Sequence, residues 1–380
     1  MATDWLDAQN TNAAKTAAAR RGIILSDKRR WYRKRAPVAK GDDHVFFTVA
    51  GRRLMGTIVG AMLSSHAYAF VDPATWDTRR AARTRRNFAA KFGSVPPERP
   101  EVAAETDADN ERRFATIRSG FDEVRRRLTE VRADTLVIIG NDQDENFGPA
   151  SLPQFAVYTG ADFTIASRTA GEGATAAAAT TYRAAPKLGR AIVEFALESG
   201  FDPAMIEQFS GDALESHAHR EPLQFYDPGA TQTVLPIFVN AIHPPAPSPA
   251  RCYAFGRMLR DAIERTPDAG RVLMLASGGL SHFPADFPWR EYTGPLTIGA
   301  VCADFDRRIV AEMRRGNGAS LAALTSADLM ANGDDELRQA IVMLGALGTA
   351  VPAFLHYEPF YRAIMGIAGG CWDTIPPLAG

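Results

Sequence analysis

Cysteine is scarce: Cys252, Cys302 and Cys371 are the only three in 380 residues, and none is spaced as CxxC. That excludes a zinc knuckle and a disulfide scaffold, and makes a reducing compartment the expectation. No run approaches the roughly 18 to 20 consecutive apolar residues of a membrane span, and the opening residues show no apolar stretch of the secretory type. The expected setting is therefore cytoplasmic, with no membrane partner. An excess of one charge is lacking as well, with Lys+Arg 43 against Asp+Glu 44. Nucleic acid is accordingly not expected as a partner, because phosphate binding normally shows as a basic imbalance. The exception is local: Lys28, Arg29, Arg30, Arg33, Lys34 and Arg35 cluster in an Ala-rich, then basic stretch with no sustained period. Residues 1–54 are read as a poorly ordered extension, a solvated basic tail rather than a binding element. Internal repeats are absent, and the one biased tract is Ala174 to Ala179.

What is present is an ordinary globular composition, 46% hydrophobic and 23% charged, enough to bury a large core. From Met55 onward, apolar runs bounded by turn formers alternate with amphipathic stretches. Strands are expected at Thr57–Leu63, Thr135–Gly140, Val234–Ala241 and Arg271–Ala276. Helices are expected at Asn110–Val131, Leu188–Glu198, Pro249–Arg265, Ile298–Arg314 and Asp334–Leu347. This alternation predicts an α/β fold: a central, mostly parallel or mixed sheet flanked by helices, in a single domain over residues 55–380. The Pro-rich segment Pro244 to Pro249 is a rigid connection that delivers the chain into a helix.

The placement of the seven histidines is the informative feature. His66, His217 and His282 fall just after candidate strands or in Gly/Ser-rich turns, where open α/β sheets put their sites. His66 ends GTIVGAMLSSH; His282 ends RVLMLASGGLSH, whose paired glycines allow a tight turn close to a ligand. Any one of them alone reads as a hydrogen-bonded structural histidine, but two at strand ends in the same grammar point to a site. A third strand runs into an acidic turn offering Asp142, Gln143, Asp144 and Glu145. In the segment ANGDDELRQ, Asp334 and Asp335 read as first-turn acids that complement a helix dipole, whereas Glu336 opens an apolar run and is able to point inward. Two His-like ligands and one carboxylate make the facial triad of non-haem iron(II) oxygenases.

Five ordered segments sharpen this: Met55 to His66, Asn141 to Phe147, His217 to Leu223, Pro244 to Gly256 and Gly278 to His282, closed by the turn Gly333 to Glu336. In order and spacing they resemble the class III extradiol ring-cleavage dioxygenases, the family of the protocatechuate 4,5-dioxygenase catalytic subunit and of the gallate and 3-O-methylgallate dioxygenases. The resemblance covers residues 55 to about 370. It implies an Fe(II) cofactor, a small aromatic diol and O2 as partners, and opening of a catechol-, protocatechuate- or gallate-like ring. It leaves a homo-oligomer open.

Carried over by position, the resemblance implies that His66 and Glu336 are metal ligands, that His282 is the acid/base, and that His217 is a second active-site histidine contacting substrate. The chain departs from the pattern at Gln143, where the family has its other iron-binding histidine. A glutamine binds metal through its amide oxygen, more weakly than imidazole does. Three outcomes stay open: Gln143 is the third ligand, Asp142 or Glu145 replaces it, or iron is no longer held tightly. The alternative reading is a family member with zinc and other chemistry, or a catalytically silent binding protein. Of the remaining histidines, His219 is read as orienting His217 or binding a substrate carboxylate, and His44, His243 and His356 as surface or packing residues. Tyr357, Phe360 and Tyr361 are read as core.

Overall fold

A computed structural model describes residues 55–66, 70–84, 93, 98–148, 150–165, 178–209, 211, 213–282 and 300–376. The extension over residues 1–54, with its basic cluster and His44, lies outside the described residues, as does most of the Ala-rich tract. Arg52–Gly380 clusters as one compact unit.

In chain order the elements are β1 (Thr57–Ser64), α1 (Trp76–Thr84), α2 (Pro100–Ala104), α3 (Asp107–Val131), β2 (Thr135–Gly140), β3 (Phe155–Tyr158), β4 (Asp162–Ile165), β5 (Thr180–Ala184), α4 (Pro186–Glu198), β6 (Ala204–Ile206), α5 (His217–Tyr226), β7 (Thr233–Val239) and α6 (Pro249–Arg265). They continue as β8 (Arg271–Ser277), α7 (Ala303–Arg314), α8 (Gly318–Ala322), α9 (Ser326–Asn332), α10 (Leu337–Leu347), β9 (Phe354–Phe360) and β10 (Met365–Trp372). All strands join one sheet in the order β4-β5-β7-β2-β8-β1-β10-β9, with β3 beside β7 and β6 beside β3. Strands β5, β7, β2, β8 and β1 run parallel. Antiparallel pairing adds β10 and β9 on one side and β4 and β3 on the other, so the sheet is mixed, as expected.

The four strands foreseen from apolar runs form the middle of this sheet. All six residues of β2, TLVIIG, are buried, the mark of a strand covered by helices on both faces. The other strands are short, or carry sequences such as FLHYEPF and MGIAGGCW with no apolar alternation, and only their pairing partners reveal them. One core layer packs beneath α4, α6, α7 and α10. The opposite layer includes Trp76, Phe121, Tyr226 and Phe360, an aromatic cluster around α3. Phe360 is therefore core as read, while Tyr357 and Tyr361 are only partly buried.

Two helices, α6 and α10, pack together against the sheet. Pro249 opens α6 behind an N-cap Ser248, whose Oγ accepts from the Arg251 N–H at 3.2 Å, so the Pro-rich connection feeds a helix as predicted. α10 is buried along its whole length and approaches α6 closely: a Cβ on Gly256 would lie 1.9 Å from the Val342 carbonyl oxygen. α10 begins at Leu337 and not at Asp334. α7 begins at Ala303, and positions 298–299 of its expected start lie outside the described residues. Among the described residues no helix is long and apolar enough to cross a membrane.

Candidate active site

Because β1, β8, β2 and β7 are parallel neighbours, the loops after their carboxyl ends open on one side of the sheet. The register aligns Ser64, at the end of β1, with Ser277, at the end of β8. This brings SSH and SGGLSH side by side, with the turn after β2 next to them. Glu336 enters from the N-terminus of α10 and His217 from that of α5. All five residues singled out from sequence, His66, Gln143, His217, His282 and Glu336, meet here.

Glu336 is the centre, 1% exposed. Its Oε1 accepts from Asn141 Nδ2 at 3.1 Å and from Gln143 Nε2 at 2.9 Å, and its Oε2 accepts from the Gly279 backbone N–H at 2.8 Å. His66 Nε2 lies 3.5 Å from Oε2, and His282 Nε2 3.8 Å from Oε1. Burial opposes the charge on Glu336, but the neighbouring His66 and His282 imidazoles and the Gly279 N–H outweigh it and hold the carboxyl well below its usual range. The positive end of α10 acts in the same direction. The residues around Glu336 are tied down in turn. Arg338 is buried and donates to the carbonyls of Pro247 and Ala241 and to Asp335 Oδ1, fastening the start of α10 to the Pro-rich connection. Asp335 is thus an ion-pair partner and Asp334 a buried acid, neither of them an exposed first-turn cap.

His66, His217 and His282 each have Nδ1 engaged. His66 Nδ1 meets Ser277 Oγ at 3.2 Å. Burial lowers the pKa of His66, against the pull of Glu336. His282 Nδ1 lies 2.8 Å from the Leu280 carbonyl, an acceptor only, so Nδ1 carries a hydrogen and the lone pair of the neutral ring is on Nε2. The loop bearing His282 is anchored by Asp306, which accepts from the Ser281 N–H, the Ser281 hydroxyl at 2.7 Å and the Tyr357 hydroxyl at 2.6 Å. Tyr357, read as core, therefore props the His282 loop. His217 Nδ1 lies 2.7 Å from Glu145 Oε1, and its ring meets that of His66 edge to face at 4.6 Å between centroids. Burial opposes its protonation, yet the Glu145 charge and hydrogen bond prevail and the His217 pKa is raised.

The turn Asn141 to Phe147 divides its labour residue by residue. Asp142 accepts from the backbone N–H groups of Glu145, Asn146 and Phe147 and shapes the turn itself. Glu145 takes both the ring and the backbone N–H of His217, so one carboxylate orients the imidazole and caps α5. Asn146 Oδ1 accepts from the N–H groups of Glu215 and Ser216. Gln143 alone of this turn's Asp142, Gln143 and Glu145 reaches Glu336. His219, by contrast, does not touch His217 through a hydrogen bond. It is wholly buried between Ser216 Oγ, at 2.9 Å, and the Ile237 carbonyl, at 3.0 Å, and neither orients its neighbour nor faces outward. His243 is partly buried, 3.3 Å from Asp144, and His356 is partly buried on β9. Sequence reasoning missed Asn141, Ser277, Gly279 and the pairing of Glu145 with His217. Their signal was their position at strand ends; their roles depend on which strands are neighbours.

An imidazole with Nδ1 occupied, and a carboxylate with one oxygen turned to it at 3.5 Å, form a donor pair suited to a divalent ion such as iron(II). The distance is too long for a strong hydrogen bond and short enough for one ion to meet both atoms. Among the described residues no three His, Cys, Asp or Glu side chains form a group able to hold an ion.

The chain belongs to the family of the catalytic LigB subunit of aromatic ring-opening dioxygenase, whose model matches residues 97–368. That span includes Gln143, His217, His282 and Glu336; His66 precedes it. Curated relatives are 2,3-dihydroxyphenylpropionate/2,3-dihydroxicinnamic acid 1,2-dioxygenases. The protein from Klebsiella pneumoniae subsp. pneumoniae is 31% identical over 165 residues, 43% of this chain and 48% of that protein. The one from Rhodococcus globerulus is 27% identical over 171 residues, 45% of this chain and 50% of that protein. A Pseudomonas putida protein is 40% identical over 100 residues, 26% of this chain and 29% of that protein. The chain thus spans about half the length of the first two relatives, or less.

Proposed function

We propose that the protein is a non-haem Fe(II) extradiol dioxygenase that opens the ring of a catechol-like or gallate-like diol with O2. The observation that carries this reading is the buried Glu336 carboxylate, turned to His66 and His282 by a cage of N–H donors, in a chain of a ring-opening family. His66 and Glu336 would hold the ion. When bound, the ion supplies a Lewis acid that gathers diol and O2 and lets electrons pass between them.

The protein's own groups then divide the proton work. His282 presents a lone pair on Nε2, because its Nδ1–H is committed to the Leu280 carbonyl, and takes the proton of a substrate hydroxyl. It returns that proton later as general acid. His217, favoured as the cation by Glu145, offers Nε2–H to an oxygen on which negative charge develops. The T-shaped packing of His217 on His66 keeps the two rings together, with His66 the one that would hold the ion. Three free cysteines fit a reducing setting.

The test is anaerobic Fe(II) loading followed by a panel of catechol, protocatechuate, gallate, 3-O-methylgallate and 2,3-dihydroxyphenylpropionate, read as O2 uptake. Uptake with at least one diol, dependent on iron, is expected. Iron-loaded protein that consumes no O2 with any of them overturns the reading, and retention of zinc in its place turns it toward the non-oxygenase alternative.

A further inference from the structure

We propose that Gln143 is a positioning residue that clamps Glu336, and that the ion is held by two protein donors, His66 Nε2 and Glu336 Oε2, with its other positions completed by a chelating diol. This rests on the ring-cleavage reading above.

The argument starts from the carboxylate. An ionised carboxylate offers about four lone-pair directions. Three are taken by neutral N–H donors: Asn141 and Gln143 on Oε1, and the Gly279 backbone on Oε2. The fourth belongs to Oε2, the oxygen that faces His66 Nε2. Oε1 is thus spent on amides, and the direction left open is on the oxygen 3.5 Å from the imidazole nitrogen.

The amide of Gln143 has one acceptable orientation here. Turned over, its carbonyl oxygen would face a carboxylate oxygen at 2.9 Å, a repulsive contact inside a buried site. Asn141, two residues earlier, donates to the same oxygen, so the two amides form one clamp. The two buried or half-buried carboxylates of the turn are already engaged, Asp142 with three backbone N–H groups and Glu145 with His217. No third His, Cys, Asp or Glu of the described residues completes an ion-holding group.

Two consequences follow. The carboxylate is satisfied before any ion arrives, so the site is preformed in the metal-free protein. An ion with two protein donors is held weakly alone and more tightly once a diol contributes both its oxygens, and by linkage the diol binds more tightly to the metal-loaded protein.

The experiment uses the full chain. Thermal melting of the metal-free protein is measured for the parent, Gln143→Met, Glu336→Gln and the double variant, with Gln143→Ala alongside to remove the same N–H without bulk. Loss of a donor to a buried charge is expected to lower the melting temperature by roughly 4 °C in Gln143→Met and by at most half as much in the Glu336→Gln background. Co(II) binding is then followed by calorimetry with and without 4-nitrocatechol, corrected for the diol's own affinity for Co(II). The parent is expected to bind Co(II) at least about tenfold more tightly with the diol, Gln143→Met to lose about tenfold, and His66→Ala to lose binding altogether. Unchanged metal-free melting with Co(II) binding abolished as completely as in His66→Ala makes Gln143 a ligand and overturns the proposal, leaving the ring-cleavage reading in place. No gain with the diol overturns the two-donor site. A parent that binds no Co(II) with or without the diol overturns the ring-cleavage reading together with it.

Discussion

Gly279→Ala tests whether His282 acts from the position it occupies. A Cβ at residue 279 would lie 3.0 Å from His282 Cε1, 3.1 Å from its Nδ1 and 3.4 Å from Glu336 Oε2. Ordinary carbon contacts begin nearer about 3.5 Å, so the ring must yield by roughly 0.4 Å while the carboxylate barely needs to move. His282 cannot swing away, because its Nδ1–H is held by the Leu280 carbonyl and the residue is buried. Nε2 therefore shifts relative to the substrate. A misplacement of about 1 Å costs on the order of 10²-fold, so this smaller shift should lower kcat roughly 5- to 10-fold, about 1 to 1.4 kcal/mol of barrier. Overpacking should cost about 1 to 3 kcal/mol of stability. The N–H of residue 279 still reaches Glu336, so iron content should be preserved. Gly278→Ala is the contrast: its Cβ would meet the Glu336 backbone oxygen at 2.7 Å, which moves only with the start of α10, so iron retention should suffer first. The assay is O2 uptake per bound iron at saturating diol. Parental turnover per iron in Gly279→Ala with iron content preserved would remove His282 from the chemistry. Iron loss with unchanged turnover per iron would show that the carboxylate gave way and not the ring.

Three further outcomes are expected. His282→Phe should lose about 10²- to 10⁴-fold in turnover while binding iron nearly as the parent does, and equal O2 uptake by the two proteins would sink its acid/base role. Glu145→Gln should move the limb of the pH–rate profile that reports loss of the His217 proton to lower pH, because the carboxylate holds that proton on; an unmoved limb would dissociate the pair from the reaction. His219, driven down to about 4 by burial, stays neutral in the folded protein while the unfolded chain takes up a proton near the ordinary 6.5. Its contribution to stability is therefore complete above 6.5 and fades as pH falls toward 4, by up to about 3 kcal/mol. Urea unfolding at pH 7.5 and pH 5 should show a smaller loss in His219→Gln than in the parent, and identical losses would refute the assignment.

The sequence by itself determined the middle of the fold and the inventory of the site. Continuous apolar runs such as TLVIIG cannot be stable except buried on both faces, so β1, β2, β7 and β8, with α3, α4 and α6, were legible from composition and period, whereas α1, α2 and α5 were not. The same runs placed His66, Gln143 and His282 at strand ends, and the apolar stretch after Glu336 turned that carboxylate inward. The edge strands were not legible, because sequences such as MGIAGGCW gain their conformation from pairing with β1 and β9. Nor was the start of α10, since Asp334 and Asp335 look like surface first-turn acids until Arg338 is seen to bury one of them as an ion pair. Only the tertiary structure decided what each residue of NDQDENF does. Asn141, Gln143 and Glu145 are equally polar in sequence, and what separates a carboxylate clamp from an imidazole anchor is which partner the neighbouring strand or helix delivers to within 3.1 Å. Strand order and helix approach set that, through contacts more than 70 residues apart along the chain, and no local pattern encodes it.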